Sequence, residues 1–178
     1  SYEYNVEKAK QLLKDAGYES GIDLTLAAEN STEYSRLAEV LQNQLKQAGI
    51  NVEIRLYDSS SYTSMLKEGK QELFLRLYSW FNADILDWFL LSSQFPYPNH
   101  SRWKDDKTDK MIKTAGAMPT WEERAIGYHE LQKYLIEQAV WAPIYVPDNS
   151  VAIRKEVINF KYHPWVPQYN DGIDLDVK

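Results

Sequence analysis

Two short β-rich runs flank one long amphipathic stretch early in the chain, and that order constrains the fold more than any other feature. Ile22–Ala28 (IDLTLAA) and Asn51–Tyr57 (NVEIRLY) read as strands. Between them Tyr34, Leu37, Ala38, Leu41, Leu45 and Ala48 recur on one face of a helix of about four turns, which Gly49 ends. A strand that returns through a helix of this length cannot close as a hairpin. The two strands are expected to lie parallel, in an α/β arrangement with helices over the sheet.

The remaining elements follow from periodicity and caps. Val6, Ala9, Leu12, Leu13 and Ala16 form a first helix, with Asn5 as N-cap and Gly17 just past its end. Asn30 with Glu33 reads as a capping box for the helix between the strands. Ser60–Gly69 predicts a short helix with Tyr62, Met65 and Leu66 inward, and Glu72–Trp80 predicts a third strand. A helix over Asp84–Ser93 is followed by a loop through Pro96, Pro98 and Asn99. Asp109, Ile112 and Ala115 mark another helix. Thr120 and Glu123 form a capping box that opens a helix to about Ala139. Ile144–Pro147 and Val151–Arg154 read as short strands, and the chain after Val157 reads as irregular. With 178 residues, no internal repeat and no low-complexity linker, the expectation is one unit over residues 1–178.

Composition removes several functions. Lys and Arg number 20 against 26 Asp and Glu, for a net charge of −6 without a basic stripe, so binding nucleic acid through its phosphates is not expected. No cysteine is present, which excludes disulfides, thiolate nucleophiles and zinc–thiolate sites, and suits work outside the reducing cytosol. No apolar run reaches the roughly 18 residues of a membrane span. His100, His129 and His163 lack metal-ligand spacing, and no G-x-S-x-G, H-E-x-x-H or phosphate-binding glycine loop occurs. Asp171–Asp176 hints at calcium without the ligand order of an EF-hand. Asp84 and Asp87 invite a reading as a glycosidase pair. One turn apart on a single helix, they fit capping and solvation better. No catalytic, metal or cofactor site is expected.

What stands out is a ligand cradle. The third strand runs into Trp80, Phe81, Asn82, Asp84, Asp87 and Trp88, an aromatic cluster set among carboxylates and an amide. Such a cluster suits a ligand that is partly apolar and partly charged. Along the strand Leu73, Leu75 and Leu77 take one face, and Phe74, Arg76, Tyr78 and Trp80 the other. A cation within a strand needs a partner, so Arg76 either joins a structural ion pair or meets a ligand carboxylate. Asp84 either binds ligand or N-caps the helix from Ile85, and both can hold at once. Trp88 and Trp103 read as packing, and Asn99 as a residue that holds a loop.

In the order of these segments the chain resembles the second lobe of extracellular solute-binding proteins of ABC importers, the oligopeptide, dipeptide and nickel type known as family 5. The resemblance lies in Tyr4–Tyr18 (YNVEKAKQLLKDAGY), Leu41–Val52 (LQNQLKQAGINV), Trp80 with Ala83-Asp84, and Asn99 followed by Asp109. It continues in Glu122-Glu123-Arg124 and Ala142-Pro143-Ile144-Tyr145. Between Trp80 and Asp84 the chain carries one residue more than the family's usual spacing. The resemblance implies a type II periplasmic-binding-protein-like lobe with a central mixed sheet flanked by helices, excised from a longer two-lobed receptor that is monomeric and extracytoplasmic. It implies that Asp84 meets a peptide's α-ammonium and that Trp80, Phe81 and Asn82 contact ligand. It also implies an N-terminal lobe and a membrane permease as partners. Short peptides are the first cargo class, oligosaccharides the second and metal chelates the third. A hydrolase and a plain interaction domain are the readings outside this class.

Overall fold

The computed structural model describes residues 2–80, 82–83, 85–148, 150–160 and 176–177. They fall into two compact units, Ser1–Trp141 and Ala142–Lys178.

In the first unit, α1 (Val6–Asp15), β1 (Ile22–Glu29), α2 (Thr32–Gln47), β2 (Ile50–Tyr57), α3 (Ser59–Glu68) and β3 (Leu73–Phe74) follow one another. Then come α4 (Ile85–Leu90), a 3-10 turn at Ser92–Gln94, α5 (Asp106–Gly116) and α6 (Trp121–Glu137). The strands form a parallel sheet in the order β2-β1-β3. Ile22 faces Ile50, and the register holds to Glu29 against Tyr57. The predicted strand–helix–strand unit is therefore present. At its base the backbone turns tightly: Gly21 has φ +88°, and a Cβ there would run into the carbonyl oxygen of Gly49.

The pleat of β1 divides the core. Leu26 and Ala28 pack with Ala38, Val52 and Leu75 beneath Leu37, Leu41 and Leu45 of α2. Ala27 turns the other way, to Tyr62, Met65 and Leu66 of α3 and to Phe74. Both faces of the sheet are thus covered, as a parallel sheet requires. A separate core joins the helices that follow: Leu86 and Leu90 of α4, Ile112 and Ala115 of α5, and Tyr128, Leu131 and Leu135 of α6. Gly127 lets α5 and α6 approach closely, since a Cβ there would stand 2.9 Å from that of Ala115.

Caps set the helix starts. Asn5 Oδ1 accepts from the Lys8 amide at 2.8 Å. Thr120 and Glu123 close a reciprocal capping box at α6. Thr120→Ala should lower stability by about 1 kcal/mol, read as a lower denaturation midpoint at unchanged slope. The start of α2 differs from expectation. The Asn30 amide is still bonded to the Tyr57 carbonyl at 2.7 Å, so the cap passes to Ser31, whose Oγ accepts from the Tyr34 amide at 3.1 Å.

The third strand is shorter than Glu72–Trp80. Pairing with β1 covers Leu73 and Phe74, and one further bond joins the Leu75 amide to the Ala27 carbonyl at 3.0 Å. Beyond it, two tyrosines replace the ladder. The Tyr62 hydroxyl donates to the Leu75 carbonyl at 2.5 Å, and the Leu77 amide donates to the Tyr34 hydroxyl at 2.9 Å. Alternation in the sequence cannot reveal that side chains take over these backbone groups. The helix expected over Asp84–Ser93 is likewise split into α4 and the 3-10 turn.

In the second unit β4 (Val157–Ile158) pairs antiparallel with β5 (Asp176–Val177). Where strands are expected, at Ile144–Pro147 and Val151–Arg154, no strand pairing forms among the described residues. Val146 is 91% exposed and Ile153 50%. β-branched residues favour a strand only where another strand offers its edge.

Candidate ligand-binding site

The chain leaves β1 through α2 to reach β2, then crosses through α3 to β3 on the far side of β1. The strand order therefore reverses at β1. In open α/β sheets, ligands bind beyond the carboxyl ends of strands at such a point. The segment Leu75–Trp80 runs out from the end of β3 and so enters that region.

Arg76 is exposed, with its guanidinium 5.9 Å from the centre of the Tyr62 ring. No ion pair with a carboxylate holds it among the described residues. The structural ion pair considered from the sequence is thus not found with any described carboxylate. Trp80 is 39% exposed, and its ring centre lies 6.2 Å from that of Trp88, which is 49% exposed. Trp88 is thus a surface partner of Trp80 and not the packing residue expected. Asn82 is exposed as well. Phe81 and Asp84 lie outside the described residues.

Two other readings hold. Trp103 packs against the helical core and donates from Nε1 to Thr108 Oγ1 at 3.0 Å. Asn99 is fully buried and binds the backbone of both Leu91 and Trp103.

Behind the exposed segment lies a group that the sequence did not single out. Tyr78 is half-buried, and its hydroxyl meets His100 Nδ1 at 3.1 Å. Tyr78 also stacks on Trp141, with ring centres 5.3 Å apart, and touches Phe89 at 4.2 Å. Burial, and secondarily the positive charge of Arg76, push the His100 pKa down to about 4. Burial pushes that of the Tyr78 phenol up. Both groups are therefore neutral around pH 7. The signal was present in the alternation, which places Tyr78 on the same side as Arg76 and Trp80. What periodicity could not supply was the distant loop that brings His100 to it. Among the described residues no group of His, Asp and Glu could hold a metal ion.

A doubly covered parallel sheet with an exposed aromatic and cationic tip defines a class: one lobe of the type II periplasmic-binding-protein fold. The oligopeptide-binding protein AppA from Bacillus subtilis, solved with a nonapeptide, has this fold. It matches with a TM-score of 0.83 at 24% identity, over 99% of this chain and 38% of that one. Residues 1–101 match the family described as bacterial extracellular solute-binding proteins, family 5 Middle, and the chain belongs to that family. It is a family of solute-binding proteins, not of enzymes. Heme-binding protein A of Haemophilus influenzae is 30% identical over 99% of this chain and 34% of its own length. Di/tripeptide-binding protein 2 of Pseudomonas aeruginosa is 29% identical over 97% of this chain and 34% of its own. The chain thus spans about a third of the length of these curated relatives.

Proposed function

We propose that this chain is the C-terminal ligand-binding lobe of an ABC-importer receptor that captures short peptides. An N-terminal lobe would supply the opposite wall, and ligand would be held by hinge closure because it contacts both walls only in the closed state. The closed, monomeric receptor would then engage the membrane permease from the extracytoplasmic side, in a periplasm or anchored at the cell surface. Arg76, Trp80, Phe81, Asn82 and Asp84 form the proposed wall.

One observation carries the peptide reading: an exposed arginine with no carboxylate partner among the described residues stands four residues before the exposed Trp80–Trp88 pair. Tryptophan faces alone would serve an oligosaccharide or another flat ligand equally well. A guanidinium without a counter-ion favours a ligand that brings a carboxylate. The relative that binds di- and tripeptides supports the same class.

The test is calorimetry on the full-length receptor with di- to pentapeptides. Arg76→Gln should weaken binding by about 1.5–3 kcal/mol, and the difference should vanish for peptides amidated at the C-terminus. A receptor that ignores peptides and binds neutral oligosaccharides would overturn the peptide reading in favour of the sugar one.

A further inference from the structure

Tyr78 lies two residues before Trp80, on the segment proposed as the ligand wall. Several parts of the first unit close around its partner. His100 is 2% exposed. Its ring is met by Phe74 of β3 at 6.3 Å, Phe89 of α4 at 5.7 Å, and Tyr97 of its own loop at 5.2 Å. Gln71 ties the loop from outside by donating to the His100 carbonyl at 2.9 Å. Among the described residues the only polar contact of the imidazole itself is with the Tyr78 hydroxyl. Its Nε2 is buried without a partner.

A bare lone pair in such a place costs less than a stranded N–H. The favoured tautomer therefore carries its hydrogen on Nδ1 and donates it to Tyr78. Adding a second proton would place an N–H on Nε2 with no acceptor. It would also put a positive charge in an apolar box near Arg76. The other groups around the box do not offset this. Tyr78 and Tyr97 are neutral phenols, and Lys67, 4.8 Å from the centre of the Tyr97 ring, is a further cation. Asp87 is two residues from Phe89 on α4, a spacing that turns it to another side of that helix. The face of Phe89 would welcome a cation. Burial and Arg76 outweigh it, which is why the ring stays neutral until about pH 4.

We propose that His100 is a positioning residue that acts as an acid-sensitive latch on the ligand wall. Neutral, it sits in the box and holds Tyr78, and with it the segment to Trp80. Protonated, the ring must leave the apolar box to hydrate its charge and its new Nε2–H, and in leaving it releases both. The importance of the latch for ligand capture rests on the function proposed above, whereas its mechanical action does not.

The test labels the six tryptophans of the 178-residue chain with 5-fluorotryptophan and follows them by fluorine NMR from pH 7 to 3.5, alongside the histidine ring signals. The Trp80 and Trp141 resonances should move with the His100 ring, at a midpoint near pH 4, while those of Trp103 and Trp121 stay. His100→Asn keeps a nitrogen donor near Nδ1 but does not titrate. It should preserve the neutral-pH spectrum and abolish the acid step at Trp80. In Tyr78→Phe the His100 ring should titrate without Trp80 following.

Trp80 staying fixed while His100 titrates would overturn the latch. So would the same Trp80 step in His100→Asn, or all tryptophans moving together as in general unfolding. In the full-length receptor, tripeptide affinity should fall below the midpoint by up to about tenfold per pH unit more in the wild type than in His100→Asn. A receptor with no peptide affinity at pH 7 refutes the proposed cargo, and the fluorine result still decides the latch.

Discussion

Asn99→Ala should destabilise the chain by about 2–4 kcal/mol, although it removes no charge and little volume. The side chain is fully buried. Its Nδ2 donates to the Trp103 carbonyl at 2.7 Å and to the Leu91 carbonyl at 3.2 Å. Its Oδ1 accepts from the Trp103 amide and the Ser101 hydroxyl, both at 3.2 Å. One amide thus joins the two ends of the loop between α4 and α5. Alanine would leave a buried N–H and two carbonyls to find other partners, and each group left unmet costs about 1–3 kcal/mol. Asn99→Asp should be at least as harmful at neutral pH, because a carboxylate would face two carbonyl oxygens. It should recover in acid, where a protonated carboxyl can donate. Urea unfolding of the variants would measure both effects. A loss under about 0.5 kcal/mol for alanine, within the range of an ordinary surface change, would mean that water replaces the amide and that the loop does not depend on it.

That loop also shows where the sequence was readable and where it was not. The βαβ unit could be read because each step depends on neighbours in the chain: the apolar spacing of α2, Gly49 just past its end, and the alternation in β1 and β2. Asn5 and the Thr120–Glu123 box were equally local. The errors came where distant groups decide. The third strand stops because hydroxyls from α2 and α3 occupy its backbone. The cap of α2 shifts from Asn30 to Ser31 because Asn30 is still paired with β2.

At the site, Trp80 was legible as the end of an alternating run, and it is exposed, whereas the exposure of Trp88 was not foreseen. That Arg76 pairs with no described carboxylate was not legible either, because no spacing rule tells whether a carboxylate will arrive from elsewhere. His100 was invisible for a similar reason. It lies 22 residues beyond Tyr78, and only the folded loop turns a lone histidine into the partner of a strand-end tyrosine.

Asp84→Asn in the full-length receptor should cost about 2–5 kcal/mol of peptide affinity, the larger functional effect expected here. Asp84 lies outside the described residues, so the expectation comes from its place in the chain and from the family. It immediately precedes α4, where an aspartate can cap the helix, and the family resemblance implies a contact with a peptide's α-ammonium, the role proposed for it above. Asparagine separates the two roles, because it caps a helix about as well as aspartate does and carries no charge. If the residue serves the ligand, affinity falls while the unfolding midpoint stays in place, and peptides acetylated at the N-terminus lose the difference between wild type and variant. If it serves only the helix, Asp84→Asn is silent in both measurements, and Asp84→Ala lowers stability by about 1 kcal/mol without touching affinity. The Arg76 result gives an independent check at the opposite charge. A zwitterionic peptide held by both ends should lose affinity in each single variant, with blocking of one terminus cancelling only its own partner's contribution. Unchanged binding of free peptides to Asp84→Asn would remove the ammonium contact, leaving Arg76 and the tryptophans to define a site for some other anionic ligand.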